Sequence, residues 1–150
     1  MAIETLDHCA IRSNDLEGTK DFFVDVIGLT VGERPPVDFP GYWLYSGDTA
    51  IVHLFGGSDD GGDQDELTKY LGAKDPESLN GSGAIDHLAF KATGLAGMRA
   101  RLDDNGLTYF ERTLPQFGLH QVFVKDPNGV TLELNYPAEE ATATTRAAAE

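Results

Sequence analysis

The chain has 150 residues, the usual size of one domain, and 41% of them are hydrophobic, enough for a core. Its 25 acidic residues against 11 basic ones give a formal net charge of −14, which argues against nucleic acid and anionic membranes as partners, since both recruit cations. No apolar run approaches the ~20 residues that span a bilayer, the first residues lack the pattern of a secretion signal, and one cysteine, Cys9, excludes an internal disulfide, so a cytoplasmic protein is expected.

In chain order, residues 4–12 alternate and are rich in β-formers, which predicts a strand. A helix is predicted from about Asp15 to Ile27, with Asn14 as its cap, Glu17 as the capping-box partner and Gly28 as the left-handed residue that ends it. Strands are predicted near 30–33, 43–47 and 50–55, with the turn Ser46-Gly47-Asp48 before the last. Gly56 to Gly83 is rich in glycine and acids. It reads as a solvated linker or flap with one short helix near Glu66–Leu71, and it lacks the ordered spacing of a calcium loop.

A second strand–helix unit then begins. Leu95, Met98 and Leu102 share one helical face, and Asn105-Gly106 ends the helix. Strands are predicted near 107–112, 120–125 and 130–136, with Asp126-Pro127-Asn128-Gly129 as the matching turn. The segment after Pro137 is rich in Ala, Thr and Glu and has no core pattern, so 138–150 is expected to be a flexible tail.

The two units are a repeat. Leu6-Asp7-His8-Cys9-Ala10-Ile11 matches Ile85-Asp86-His87-Leu88-Ala89-Phe90, 79 residues on. Leu16 and Gly18 match Leu95 and Gly97 at the same offset. Gly28-Leu29 matches Gly106-Leu107, and Val52-His53-Leu54 matches Leu132-Glu133-Leu134, each within one residue of it.

Alternation along strands sorts the chemistry. His8 shares a face with Leu6 and Ala10, and His87 with Ile85 and Ala89. His53 lies opposite Val52 and Leu54, and Glu133 opposite Leu132 and Leu134. Each polar residue thus interrupts an otherwise apolar strand on one face only, and the fully apolar face suits packing against helices. A carboxylate flanked by leucines needs a positive partner, and no Lys or Arg is near Glu133 in sequence. A divalent ion supplies one. Two imidazoles and a carboxylate, His8, His87 and Glu133, are the facial set of non-haem Fe(II) sites, and Zn, Mn, Ni or Co can use the same donors. His53 is a fourth ligand or a nearby base. His120 has no counterpart in the first half; it either points into the same space or pairs with an exposed acid.

The two Asp-His-x-Ala strands, the Asp126–Gly129 turn and Thr131-Leu132-Glu133-Leu134 resemble the vicinal oxygen chelate superfamily over about residues 3–136. That superfamily includes glyoxalase I, methylmalonyl-CoA epimerase, type I extradiol dioxygenases, and fosfomycin- and bleomycin-resistance proteins. The resemblance implies an α+β fold: two βαβββ modules, 3–56 and 84–136, forming a cupped mixed sheet or half-barrel with helices on its outer face, one domain over 1–137. It implies a divalent metal, with ligands from the first and fourth strands that map to His8, His53, His87 and Glu133. A small-molecule substrate and a homodimer are also implied.

Two departures bear on the reaction. Glyoxalase I-like enzymes usually place a carboxylate or glutamine where this chain has His53. Extradiol dioxygenases keep two histidines and a glutamate on iron with a further histidine as acid–base, a role open to His53 or His120. Against them, the tyrosine they carry ten residues before the glutamate is Phe123 here, which leaves Tyr42, Tyr45 or Tyr109 as sources of a phenol, and most of them carry four modules rather than two. Trp43, Phe55, Phe117 and Phe123 are candidate walls, and no basic cluster suits glutathione or coenzyme A. These features lean towards Fe(II)-dependent ring cleavage of a catechol- or hydroquinone-like compound. Glyoxalase-type isomerase or lyase chemistry follows, and metal-free sequestration of a small molecule such as an antibiotic comes third.

Overall fold

A computed structural model describes residues 4–56, 67–69 and 72–147. It divides into two compact units, Met1–Asn80 and Gly81–Glu150, and each holds one four-stranded mixed sheet. In the first, β1 (Cys9–Ser13) leads to α1 (Leu16–Asp21), a π-helical turn (Phe22–Ile27), β2 (Thr30–Gly32), β3 (Gly41–Ser46) and β4 (Thr49–Gly56). The sheet order is β1-β4-β3-β2, with β1 and β4 parallel and the other pairs antiparallel. In the second, β5 (Leu88–Lys91) leads to α2 (Leu95–Asp104), β6 (Tyr109–Leu114), β7 (Leu119–Lys125), β8 (Thr131–Pro137) and α3 (Ala138–Ala147). Its order, β5-β8-β7-β6, repeats the first. The α+β class and the paired βαβββ units are as the repeat implied.

The apolar strand faces form the cores. In the first unit Ile11, Leu44, Val52 and Leu54 are buried together with Leu16, Phe22, Phe23 and Val26 of the helical segment. A buried hydrogen bond of 2.9 Å between the Ser13 and Thr19 hydroxyls ties β1 to α1 on this face. In the second unit Val122, Val124, Leu132, Leu134 and Tyr136 are buried with Leu95, Met98 and Leu102.

Several local expectations are revised. Asp15, not Asn14, caps α1: its carboxylate accepts from Gly18 N at 2.9 Å, whereas Asn14 donates to the Pro76 carbonyl. The helix widens towards its end, where Gly28 N and Leu29 N both reach back to the Phe23 carbonyl. Gly28, at φ 93°, ends it in the left-handed region open to glycine. β1 begins at Cys9 rather than residue 4. Of the expected helix near Glu66–Leu71, only 67–69 falls within the described residues and is helical. Leu67 is fully buried and packs with Phe39 and Phe55, so this part of the linker is not a solvated strap. Residues 57–66 and 70–71 lie outside the description.

The expected flexible tail begins as a helix with a role. Gly94, the residue before α2, offers no capping side chain. Glu140 of α3 supplies it, accepting from Gly94 N at 2.9 Å and Leu95 N at 2.7 Å. A carboxylate there satisfies orphan donors and complements the helix dipole. No segment with a core pattern was needed for this, which is why hydrophobic periodicity missed it.

Phe23 is fully buried. Phe23→Ala is expected to lower the unfolding free energy by about 3–5 kcal/mol, measurable by urea denaturation.

Candidate metal and substrate site

Strand register defines one polar face in each sheet. Residues opposite each other on paired strands point to the same side. In the second unit Ala89 opposes Glu133, and Glu133 opposes Phe123. In the first unit Ala10 opposes His53, and His53 opposes Trp43. The small alanine on the first strand leaves room beside the fourth-strand polar group in both sheets.

Glu133 is 8% exposed. Its Oε1 accepts from Gln121 Nε2 at 2.8 Å and Asn135 Nδ2 at 2.8 Å. Its Oε2 faces His87 Nε2 at 3.2 Å. Two amides therefore fix the carboxylate and aim one oxygen at the imidazole. Among the described residues no Lys or Arg forms an ion pair with it.

His87 is held from behind. Its Nδ1 lies 2.7 Å from Asp86 Oδ1, which orients the ring and presents Nε2 towards Glu133. The Asp86 hydrogen bond, more than the Glu133 charge, raises the His87 pKa. The first unit repeats the device: His8 Nδ1 lies 2.6 Å from Asp7 Oδ2. A carboxylate on one ring nitrogen is the usual support for a histidine whose other nitrogen binds a metal.

In the first unit His53 sits in a stack of three rings. Its centroid is 3.7 Å from that of His8, nearly parallel, and 4.0 Å from that of Trp43. Burial, then the neighbouring His8, lowers its pKa, opposed by a hydrogen bond to the Ala50 backbone. Both effects favour the neutral imidazole, the form that binds metals or accepts a proton.

The donors thus stand as two pairs, His8 with His53 and His87 with Glu133. Among the described residues no three His, Cys, Asp or Glu side chains form one metal-holding group. Each pair by itself offers donors of the kind a divalent ion takes: an aspartate-tethered imidazole beside His53 in the first unit, and an aspartate-tethered imidazole beside a carboxylate in the second.

His120 is elsewhere. It opposes Thr113 and Tyr136 in register, on the face away from Glu133. Its Nδ1 is 2.8 Å from Thr113 Oγ1 and its Nε2 is 3.1 Å from Glu111 Oε2. Arg99 of α2 grips Glu111 with two bonds of 2.8 Å. Of the two orientations open to His120, the structure takes the acid-paired one, though that acid is largely covered. The three phenols are also committed: Tyr42 to Glu17, Tyr45 to the Glu33 carbonyl and Tyr109 to Asp103. None supplies the hydroxyl that Phe123 lacks.

Of the expected walls, Trp43 stacks on His53, and Phe123 meets His87 edge-on at 6.5 Å. Phe55 is taken up in the cluster with Phe39 and Leu67, and Phe117 is exposed. Sequence reading missed Gln121, Asn135 and Phe110. Strand parity with Glu133 could have found the first two: Asn135 is two residues on, and Gln121 lies on the preceding strand.

The chain belongs to the Glyoxalase/Bleomycin resistance protein/Dioxygenase superfamily, whose family model matches residues 5–134. Among similar solved structures is a genomically encoded fosfomycin resistance protein from Listeria monocytogenes, with a TM-score of 0.63 at 15% identity over 90% of this chain and 94% of that one. An antibiotic binding protein from a Streptomyces species gives 0.58 at 19% identity, covering 91% and 98%. A lactoylglutathione lyase from Agrobacterium tumefaciens gives 0.57 at 17%, covering 91% and 96%. Such identities establish the shared fold and leave the reaction to the site. Comparison with curated proteins finds no match.

Arg99, then His120, holds the Glu111 carboxyl below its ordinary value of 4.5. A depressed carboxyl stabilises the fold above its unfolded value, and the contribution fades as pH falls through the lower folded one. Glu111→Gln is expected to cost about 1–3 kcal/mol at pH 7 and to flatten the acid limb of stability below pH 4.5, read by thermal melts across pH.

Proposed function

We propose that the chain is a divalent-metal-dependent enzyme that cleaves the ring of a small catechol- or hydroquinone-like compound, with Fe(II) as the favoured ion. His8, His87 and Glu133 would hold the metal, with His53 as fourth donor or as base. The observation that carries the aromatic substrate is the pairing of donors with flat walls: Trp43 covers His53, and Phe123 stands against His87. Rings of this kind bind a planar substrate by stacking and edge contacts.

Bound Fe(II) would supply redox chemistry with oxygen and a Lewis acid for adjacent substrate oxygens. The chain's own residues do the rest. Asp7 and Asp86 fix their imidazoles, and Gln121 and Asn135 hold Glu133 so that one oxygen stays available. His53, whose pKa burial lowers, takes a proton from a substrate hydroxyl at the ring nitrogen not engaged by Ala50. Trp43 pins that ring and limits its rotation.

A second reading, glyoxalase-type isomerase or lyase chemistry, is favoured by one observation. Phe123 brings no hydroxyl to the site, and Tyr42, Tyr45 and Tyr109 are bonded elsewhere.

Metal analysis of purified protein is expected to show bound divalent ion, reduced at least tenfold in affinity in His8→Ala, His87→Ala and Glu133→Ala. Unchanged metal in all three would overturn the site. Anaerobically Fe(II)-loaded protein is expected to consume oxygen with catechols. No uptake, with turnover of a hemithioacetal on Ni, Co or Zn, would move the assignment to the second reading. Stoichiometric ligand binding without metal or turnover would point instead to sequestration.

A further inference from the structure

The second sheet carries a transverse polar row beside Glu133. Lys91 opposes Asn135, Asn135 opposes Gln121, and Gln121 opposes Arg112. Register puts all four on the Glu133 face. The Gln121 amide is used at both ends: Nε2 donates to Glu133 Oε1 and to Asn135 Oδ1, and Oε1 accepts from Arg112 Nε at 2.6 Å. Because Gln121 is fixed at both ends, its amide cannot flip, and Arg112 is locked through Nε.

The Arg112 guanidinium carbon also lies 5.1 Å from the centroid of Phe123. One edge of the group is tied to Gln121 and one side is packed on a ring. Its two terminal nitrogens are uncommitted: among the described residues no carboxylate pairs with them, in a chain with 25 acidic residues. Arg99, on the opposite face, shows the contrast, since both its bonds go to Glu111. Arg112 is exposed, and its charge is felt at His87. Phe110, 6.1 Å from Phe123 and 61% exposed, extends the apolar strip on the same face.

We infer that Arg112 is a substrate-recognition residue, and that the substrate is a planar aromatic acid whose ring lies along Phe123 and Phe110 while its carboxylate meets the terminal nitrogens of Arg112. A planar fork with two free nitrogens matches a carboxylate in bidentate fashion. Lys91, at the far end of the row, is a flexible point charge with no such fixation. The inference rests on the aromatic reading above and narrows it from neutral catechols to ring acids.

The test is calorimetric titration, under strict exclusion of oxygen, of the Fe(II)-loaded protein with catechol and with 3,4-dihydroxybenzoate, so that binding is read without turnover. Wild type is expected to bind the acid at least tenfold more tightly than catechol, with a preference that shrinks as salt rises. Arg112→Gln is expected to bring the ratio near one, Arg112→Lys to keep part of it, and Lys91→Gln to leave it in place. Equal affinities in wild type, a preference that survives Arg112→Gln, or one lost in Lys91→Gln would each overturn the inference and leave the ring-cleavage proposal standing. Failure to bind either compound would overturn both.

Discussion

The parallel pairing of first and fourth strand is the constraint on which the site depends. It is made twice, Ala10 against His53 and Ala89 against Glu133. A parallel neighbour brings the start of the first strand alongside the middle of the fourth. The histidine two residues before each alanine therefore meets the polar residue of the fourth strand, as a ring stack in one unit and an Nε2 to Oε2 contact in the other. A shift of one residue would turn these side chains to the opposite face. The buried apolar residues on the helix side hold the register in place: Val52, Leu54, Leu132 and Leu134 cannot be exposed without large loss.

The same alternation keeps two polar systems in the second unit apart. Facing the helix is the structural set, Arg99, Glu111, His120 and Thr113, in which the charges pair. On the other face are His87, Glu133, Gln121, Asn135 and Arg112, in which amides position a carboxylate and a guanidinium without neutralising either. A buried carboxylate with one oxygen satisfied by amides and the other turned to an imidazole is costly unless something cationic joins it. That asymmetry, more than the count of histidines, is what supports the metal proposal on this face.

Much of this was legible in the chain. The 79-residue repeat located both units, and period-two alternation assigned His8, His53, His87 and Glu133 to one kind of face before any coordinates. His120 was not legible. It follows a glycine and a leucine at the start of its strand, so no flanking pattern fixed its direction, and its partner Glu111 lies on another strand. The capping of α2 by Glu140 was hidden for the same reason: the two are more than forty residues apart and share no periodic signal. Asn14 and Asp15 are both good caps, and only the Pro76 carbonyl, 62 residues away, drew one of them off.

The sequence by itself determined the α+β class, the two βαβββ units, and the strand parity that sets His53 and Glu133 on the face away from the buried Val52, Leu54, Leu132 and Leu134. Local rules suffice for these, because turn chemistry and alternation act over a few residues. The tertiary structure decided that His53 is stacked between His8 and Trp43, that Tyr42, Tyr45 and Tyr109 are bonded elsewhere, and that Arg112 is held through Nε by Gln121. Each of these depends on a contact between strands or between a strand and a helix. Such contacts arise from register and packing, which no single stretch of the chain encodes.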